Sequence, residues 1–202
     1  MSGPIVMLPV GAKGVDYVHP AVNHTPQWMV ENGYSFACRY VARTSRIGKI
    51  VTSAEVHQLH AAGIAVLLTY EGSANDVFGG AQAGAAHGAF AKSFAQKLGY
   101  PLGLPVFAAA DTDVTSSNLG QAVAYMRAFH DAVHPYTLGI YGDTLLLAAL
   151  ADLSPVGWEP QARSWSPKEP TGTVHIQQQA LNKEASVDAN LVLVSVPAWL
   201  VQ

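Results

Sequence analysis

The stretch Ala61-Ala62-Gly63-Ile64-Ala65-Val66-Leu67-Leu68-Thr69-Tyr70-Glu71-Gly72 contains the unit from which the fold is read. A helical pattern stops at Gly63, where a positive φ costs glycine nothing, an apolar run of strand length follows, and an acid stands where the run ends. The same order recurs at Glu31-Asn32-Gly33 before the apolar run 36–41, and at Lys97-Leu98-Gly99 before the run 105–110. Upstream, Thr52-Ser53-Ala54-Glu55 has capping-box spacing, which predicts a helix through Leu59 that begins with Thr52 bonding to the first free amides. Downstream, Leu119, Ala122, Val123, Met126, Phe129 and Val133 recur at helical intervals and predict one buried face of a helix after Ser117. Helix and strand therefore alternate.

The strand runs, such as Ile64-Ala65-Val66-Leu67-Leu68 and Val106-Phe107-Ala108-Ala109-Ala110, are almost continuously apolar, as parallel strands covered by crossover helices are. A barrel and a doubly wound sheet both meet that condition. Gly11-Ala12-Lys13-Gly14 lacks the Lys-Ser/Thr ending of a phosphate loop, and no Gly-x-Gly-x-x-Gly opens a helix, so the nucleotide-binding sheet has no support. The expectation is an abbreviated TIM-type (β/α) barrel, occupying residues 1–202 as a single domain. From Ser154 onward the chain is richer in Pro, Gly and short strand patterns than in helix, and strands and loops are expected to close the barrel there.

Half of the 202 residues are hydrophobic, enough for one sizeable core. Charged residues make up 12% and the net charge is −3, so the basic footprint of a nucleic-acid binder is missing. No apolar run has the length of a membrane span, and the start, with Pro4 and Pro9 and no charged leader, does not read as a secretory signal. Cys38, the single cysteine, reads as a small buried hydrophobe.

Acids recur near strand ends: Asp16 after Gly14-Val15, Glu71, Asp111 and Asp113 after the run 105–110, and Asp188 beside Val187. In a parallel barrel such ends converge on one rim. If the strand continued through Asp111-Thr112-Asp113, both carboxylates would point the same way, and like charges in a poorly hydrated site keep one of them protonated, as a general acid requires. The alternative for the triplet is a solvated loop of helix-capping aspartates. Turns and Asx-turns are the corresponding alternatives for Asp16, Glu71 and Asp188.

Tyr17, Tyr40, Tyr70, Tyr141 and Trp165 fall near the same ends, where a ring with a polar tip can pack on a sugar while bonding its hydroxyls. Arg39 interrupts an apolar strand; a buried guanidinium must be paired, and a rim carboxylate is its expected partner. Gly80, Gly84 and Gly88 clear one stripe of a helix and predict close packing against the barrel wall. His57 with His60, and His19 with His24, lack metal-site spacing and are expected at the surface. No metal or cofactor is expected. A Gly-x-Ser-x-Gly elbow is also missing.

Taken together, Gly14-Val15-Asp16, Arg39 within its strand, Glu71, Pro105 through Asp113, Gly139-Ile140-Tyr141-Gly142, Trp165, Gln177 and Val187-Asp188-Ala189-Asn190 resemble the glycoside hydrolase-like domain of actinobacteria and their phages, domain of unknown function 1906. That group is similar to the family 25 lysozymes. The resemblance spans nearly the whole chain and implies that Asp16 is the first-strand carboxylate and Asp111 its partner. It also implies that Tyr141, Gln177 and Asp188 are site residues. Asp113 stands where the lysozymes carry their catalytic glutamate, one methylene shorter. Either the backbone advances, or Glu71 supplies the acid, or the site does not cut.

The resulting expectation is a lysozyme-like glycosidase acting on cell-wall peptidoglycan through Asp16, Glu71, Asp111 and Asp113, with Arg39, Tyr70, Tyr141, Trp165, Gln177 and Asp188 contacting glycan. The rivals are a non-catalytic glycan-binding barrel and a scaffold with a relict cleft. Work on cell wall would take place outside the cytoplasm, as for a phage lysin or a virion component.

Overall fold

The computed structural model describes residues 5–20, 24–43, 48–153, 156–160, 174–182 and 185–201. Its strands are β1 (Ile5–Leu8), β2 (Lys13–Asp16), β3 (Tyr34–Val41), β4 (Ala65–Tyr70), β5 (Pro105–Ala109), β6 (Thr137–Tyr141), β7 (Val156–Glu159), β8 (Val174–Asn182), β9 (Val187–Val192) and β10 (Val196–Trp199). Strands β2 through β9 close into an eight-stranded barrel, since β4 pairs with β5 as well as β3, and β9 pairs with both β8 and β2. From β2 to β8 every neighbour is parallel, while β9 runs antiparallel to both of its partners. The (β/α) barrel read from the sequence is thus present, with one reversed strand.

Helices α1 (Pro26–Glu31), α2 (Ser53–Ala61), α3 (Gly80–Leu98), α4 (Leu119–Val133) and α5 (Thr144–Ala149) supply the outer layer. Their ends follow local chemistry. Thr25 accepts from the Trp28 amide ahead of Pro26, Thr52 from the Glu55 amide, and Asp143 from the Leu146 amide, each satisfying a donor that the first turn leaves free. Gly63 and Gly99 follow α2 and α3 at φ of 79° and 82°, the left-handed geometry expected of them. Among the described residues no helix follows α5, and the chain completes the barrel with strands.

Side-chain parity along the strands divides the core in two. Phe36, Cys38, Leu67, Phe107, Ala109, Trp158, Ile176 and Val192 fill the barrel, whereas Ala37, Val41, Val66, Leu68, Val106, Ala108 and Ile140 face the helices. Phe36 and Phe107 lie across Gly14 and Gly139 of the neighbouring strands, where a Cβ would come within 2.4 and 2.5 Å of the rings. Antiparallel β1 and β10 cover the opposite end of the barrel from the rim, with Leu8, Val196 and Ala198 joining the interior cluster.

Two expectations change. The glycine stripe of α3 packs on α4 and not on the barrel wall: a Cβ at Gly84 would stand 2.1 Å from the Tyr125 carbonyl oxygen, and one at Gly88 2.6 Å from that of Phe129. His24 and His60 are buried, because each binds backbone carbonyls: His24 those of Ala185 and His19, His60 that of Trp199. No helix among the described residues is long and apolar enough to cross a membrane.

Candidate active site

A pocket opens at the C-terminal rim of the barrel. It is lined by Asp16, Tyr40, Thr69, Glu71, Ala109, Asp111, Tyr141, Trp158, Gln178 and Asp188. Asp16 ends β2; Glu71 and Asp111 lie just past the ends of β4 and β5, on the inward parity set by Leu67 and Thr69 and by Phe107 and Ala109. Asp188 sits near the start of β9, and reaches the same rim because that strand is reversed.

Asp16 is almost fully buried and accepts three hydrogen bonds. Tyr40 Oη donates to Oδ1 at 2.9 Å, while Gln178 Nε2 and Asn190 Nδ2 donate to Oδ2 at 3.1 and 2.8 Å. Asn190 is held in that orientation by Trp158, whose indole N–H donates to its Oδ1 at 2.8 Å. Burial nevertheless pushes the Asp16 carboxyl up to about 7, and the neighbouring charge of Asp188 adds to the rise; the three donors counter only part of it.

Glu71 accepts from Lys49 Nζ at 2.8 Å. Burial raises its proton affinity above the ordinary glutamate range; Lys49 opposes that rise, and Asp111 and Asp76 reinforce it. The Tyr141 hydroxyl lies 3.4 Å from Asp111 Oδ1 and 3.3 Å from Gln178 Oε1, two acceptors that share its proton. Thr69 Oγ1, buried in the pocket wall, has no hydrogen-bond partner among the described residues. No group of three metal-ligating side chains occurs among the described residues.

Five of the residues expected at the site therefore meet: Asp16, Glu71, Asp111, Tyr141 and Asp188. Asp113 does not join them. β5 ends at Ala109, so the alternation that would have aligned Asp113 with Asp111 has lapsed, and Asp113 is exposed on the loop leading to α4.

Arg39 and Tyr70 occupy the outward parity. The guanidinium of Arg39 pairs with Glu55 of α2 through Nε to Oε1 at 2.6 Å and Nη2 to Oε2 at 3.3 Å, and Nη1 donates to the Tyr17 carbonyl. Its partner is thus a helix residue, not a rim carboxylate. Tyr70 packs on His87, Phe90 and Phe129 between the sheet and helices α3 and α4. Gln177 also points away, accepting from Gln179 Nε2, and Gln178 takes the inward position. Trp165 lies outside the described residues.

The residues that sequence reading missed are Gln178, Trp158, Thr69 and Lys49. For the first three, the parity of their strands carries the signal once a neighbouring inward residue is known. Lys49 stands on a loop and has no periodic signal. It is placed by Ile50, which bridges to Tyr40, by the Val51 amide, which donates to the Tyr40 carbonyl at 3.0 Å, and by Arg39 Nη2, which donates to the Lys49 carbonyl at 3.4 Å.

The family model described as "Rv2525c-like, glycoside hydrolase-like domain" matches residues 27–191. Among solved structures, the Tat-secreted protein Rv2525c of Mycobacterium tuberculosis, crystallised with L-tartrate, is 25% identical at a TM-score of 0.77, with 91% of this chain and 96% of that one covered. The bacterial lysozyme from Streptomyces coelicolor is 17% identical at 0.61, covering 90% and 92%, and a family GH25 lysozyme from Aspergillus fumigatus is 13% identical at 0.57, covering 90% and 93%. The two lysozymes share the fold. No match is found among curated proteins. With a family model covering most of its length and a closed barrel whose carboxylates gather at one rim, the chain belongs to the Rv2525c-like, glycoside hydrolase-like family.

Proposed function

We propose that this protein is a glycosidase of the bacterial cell wall, acting outside the cytoplasm on the bond between N-acetylmuramic acid and N-acetylglucosamine in peptidoglycan. The observation that carries this reading is the convergence of Asp16, Glu71 and Asp111, each from a different strand, on one rim pocket. Glu71 has the reach of a glutamate, and its burial favours the protonated form, so it donates the proton to the leaving oxygen. Asp111 and Asp16 face the positive charge that develops on the sugar, or orient its acetamido group or a water. Tyr141 and Tyr40 present hydroxyls at the same rim. Asp113, exposed on its loop, takes no part.

Release of reducing ends from purified cell wall, compared between the parent protein and Glu71→Gln, tests the reading. Loss of most turnover with glycan affinity retained is the expected result. A second reading, a barrel that holds glycan without cutting it, draws on the exposed position of Asp113, which leaves the place of the lysozyme glutamate outside the pocket. Glycan binding with no turnover in the parent protein would establish it.

A further inference from the structure

We infer that Lys49 is a positioning residue for the proposed reaction: it fixes the carboxyl of Glu71 at the rim and controls how readily that carboxyl holds a proton. The inference rests on Glu71 being the proton donor only in its consequence for turnover; the effect on Glu71 itself stands apart from it.

The geometry is specific. Lys49 Nζ lies 2.8 Å from Glu71 Oε1, with both side chains largely shielded from water, so the pair is screened less than a surface ion pair. The ammonium also stands 4.7 Å above the centre of the Tyr40 ring, which confines it from a second side. Tyr40 in turn bonds Asp16, so one ring separates the lysine from the most buried carboxylate of the pocket.

The backbone that carries Lys49 is equally constrained. Ile50 and Val51 bond to β3 on its C-terminal side, and the Lys49 carbonyl is held by the guanidinium of Arg39, itself fixed by Glu55. The charge buried behind the barrel wall thus serves the rim indirectly, through the loop it anchors.

Besides Lys49, the charged groups that bear most on Glu71 are two acids, while the charge of Arg43 acts on the adjacent Tyr70 and on His87. Asp111 follows β5 and Asp76 begins the short turn before α3; both disfavour its ionised form. Asp16, Asp188, Tyr40 and Tyr141 complete the pocket around it. Lys49 is therefore the cation that opposes burial and the charges of Asp111 and Asp76 at Glu71. A donor with too high a proton affinity gives up its proton slowly, and one with too low an affinity is empty at working pH. Lys49 sets the balance.

The test is a carboxyl-carbon NMR titration of Glu71 in the parent protein, Lys49→Met and Lys49→Arg, with turnover on purified cell wall followed across the same pH range. In Lys49→Met, Glu71 is expected to titrate at higher pH than in the parent, and the alkaline limb of the turnover profile to move the same way while kcat falls. Lys49→Arg, which keeps the charge, is expected to return both toward the parent. An unchanged Glu71 titration in folded Lys49→Met would overturn the inference whatever the turnover. A displaced titration in Lys49→Met, beside a parent protein that releases no reducing ends, would uphold the control of Glu71 by Lys49 while refuting the glycosidase reading.

Discussion

Asp16 and Asp188 are direct register partners in the antiparallel pair of β2 and β9, so two carboxylates stand side by side at the pocket. Directly opposed residues project to the same face of a sheet, and like charges there repel. The sheet pairing itself brings these acids together.

This arrangement predicts how Asp16 titrates. Asp188→Asn removes the like charge and should lower the pH at which Asp16 ionises, as read by carboxyl-carbon NMR. The folded protein holds the Asp16 proton to about pH 7, whereas an unfolded chain releases it near 3.8. A raised acid contributes stability that is fully present below the unfolded value and is lost as pH rises through the folded one. Denaturant unfolding of the parent and of Asp16→Asn should therefore diverge between about pH 4 and 8, the parent losing a few kcal/mol relative to the variant, at ~1.4 kcal/mol for each tenfold difference in proton affinity between folded and unfolded chain. A constant gap across that range would contradict it.

Arg39→Leu should be among the more damaging single changes. It leaves the Glu55 carboxylate and the Tyr17 carbonyl without their cation in a fully buried place. Breaking one side of such a pair costs about 3–5 kcal/mol. Thermal melting would show the loss, and a melting curve equal to the parent's would show that the pair contributes little.

Asp113→Asn should leave both stability and turnover close to the parent, since the side chain is exposed and outside the pocket. Surface changes of this kind stay within about 0.5 kcal/mol. A large loss of turnover would mean that the loop after β5 moves inward when glycan binds.

Gly84→Ala adds a methyl group 2.1 Å from the Tyr125 carbonyl oxygen, a backbone atom of the facing helix that cannot step aside alone. Separating α3 from α4 should cost on the order of 1–3 kcal/mol. Gly120→Ala, with open space around the new group, is the control and should be neutral or slightly stabilising on chemical denaturation.

The barrel is readable from residues 61–72 and their repeats because helix caps and apolar runs are local signals. The inward choice is not. β4 is buried on both faces, so Thr69 and Tyr70 look equally interior in the sequence, although one faces the pocket and the other the helices. Gln177 and Gln178 pose the same ambiguity, and a shift of one position changes the face. Asp113 departs from its expected place for a different reason: period-two reasoning holds only while the strand lasts, and β5 stops four residues earlier. Arg39 is buried and paired, as a charge inside an apolar strand must be, but its partner belongs to a helix that approaches from outside the barrel.

The reversed strand has a bearing on how the molecule comes into being. Asn190 and Asp16 are 174 positions apart, so on a ribosome the first barrel strand emerges long before the strand that flanks it. Until β9 arrives, β2 has an open edge and Asp16 lacks two of its three donors, Gln178 and Asn190. Contacts of such long separation close late and slow the search for the native state. The rim pocket is therefore expected to form only once β9 has been made.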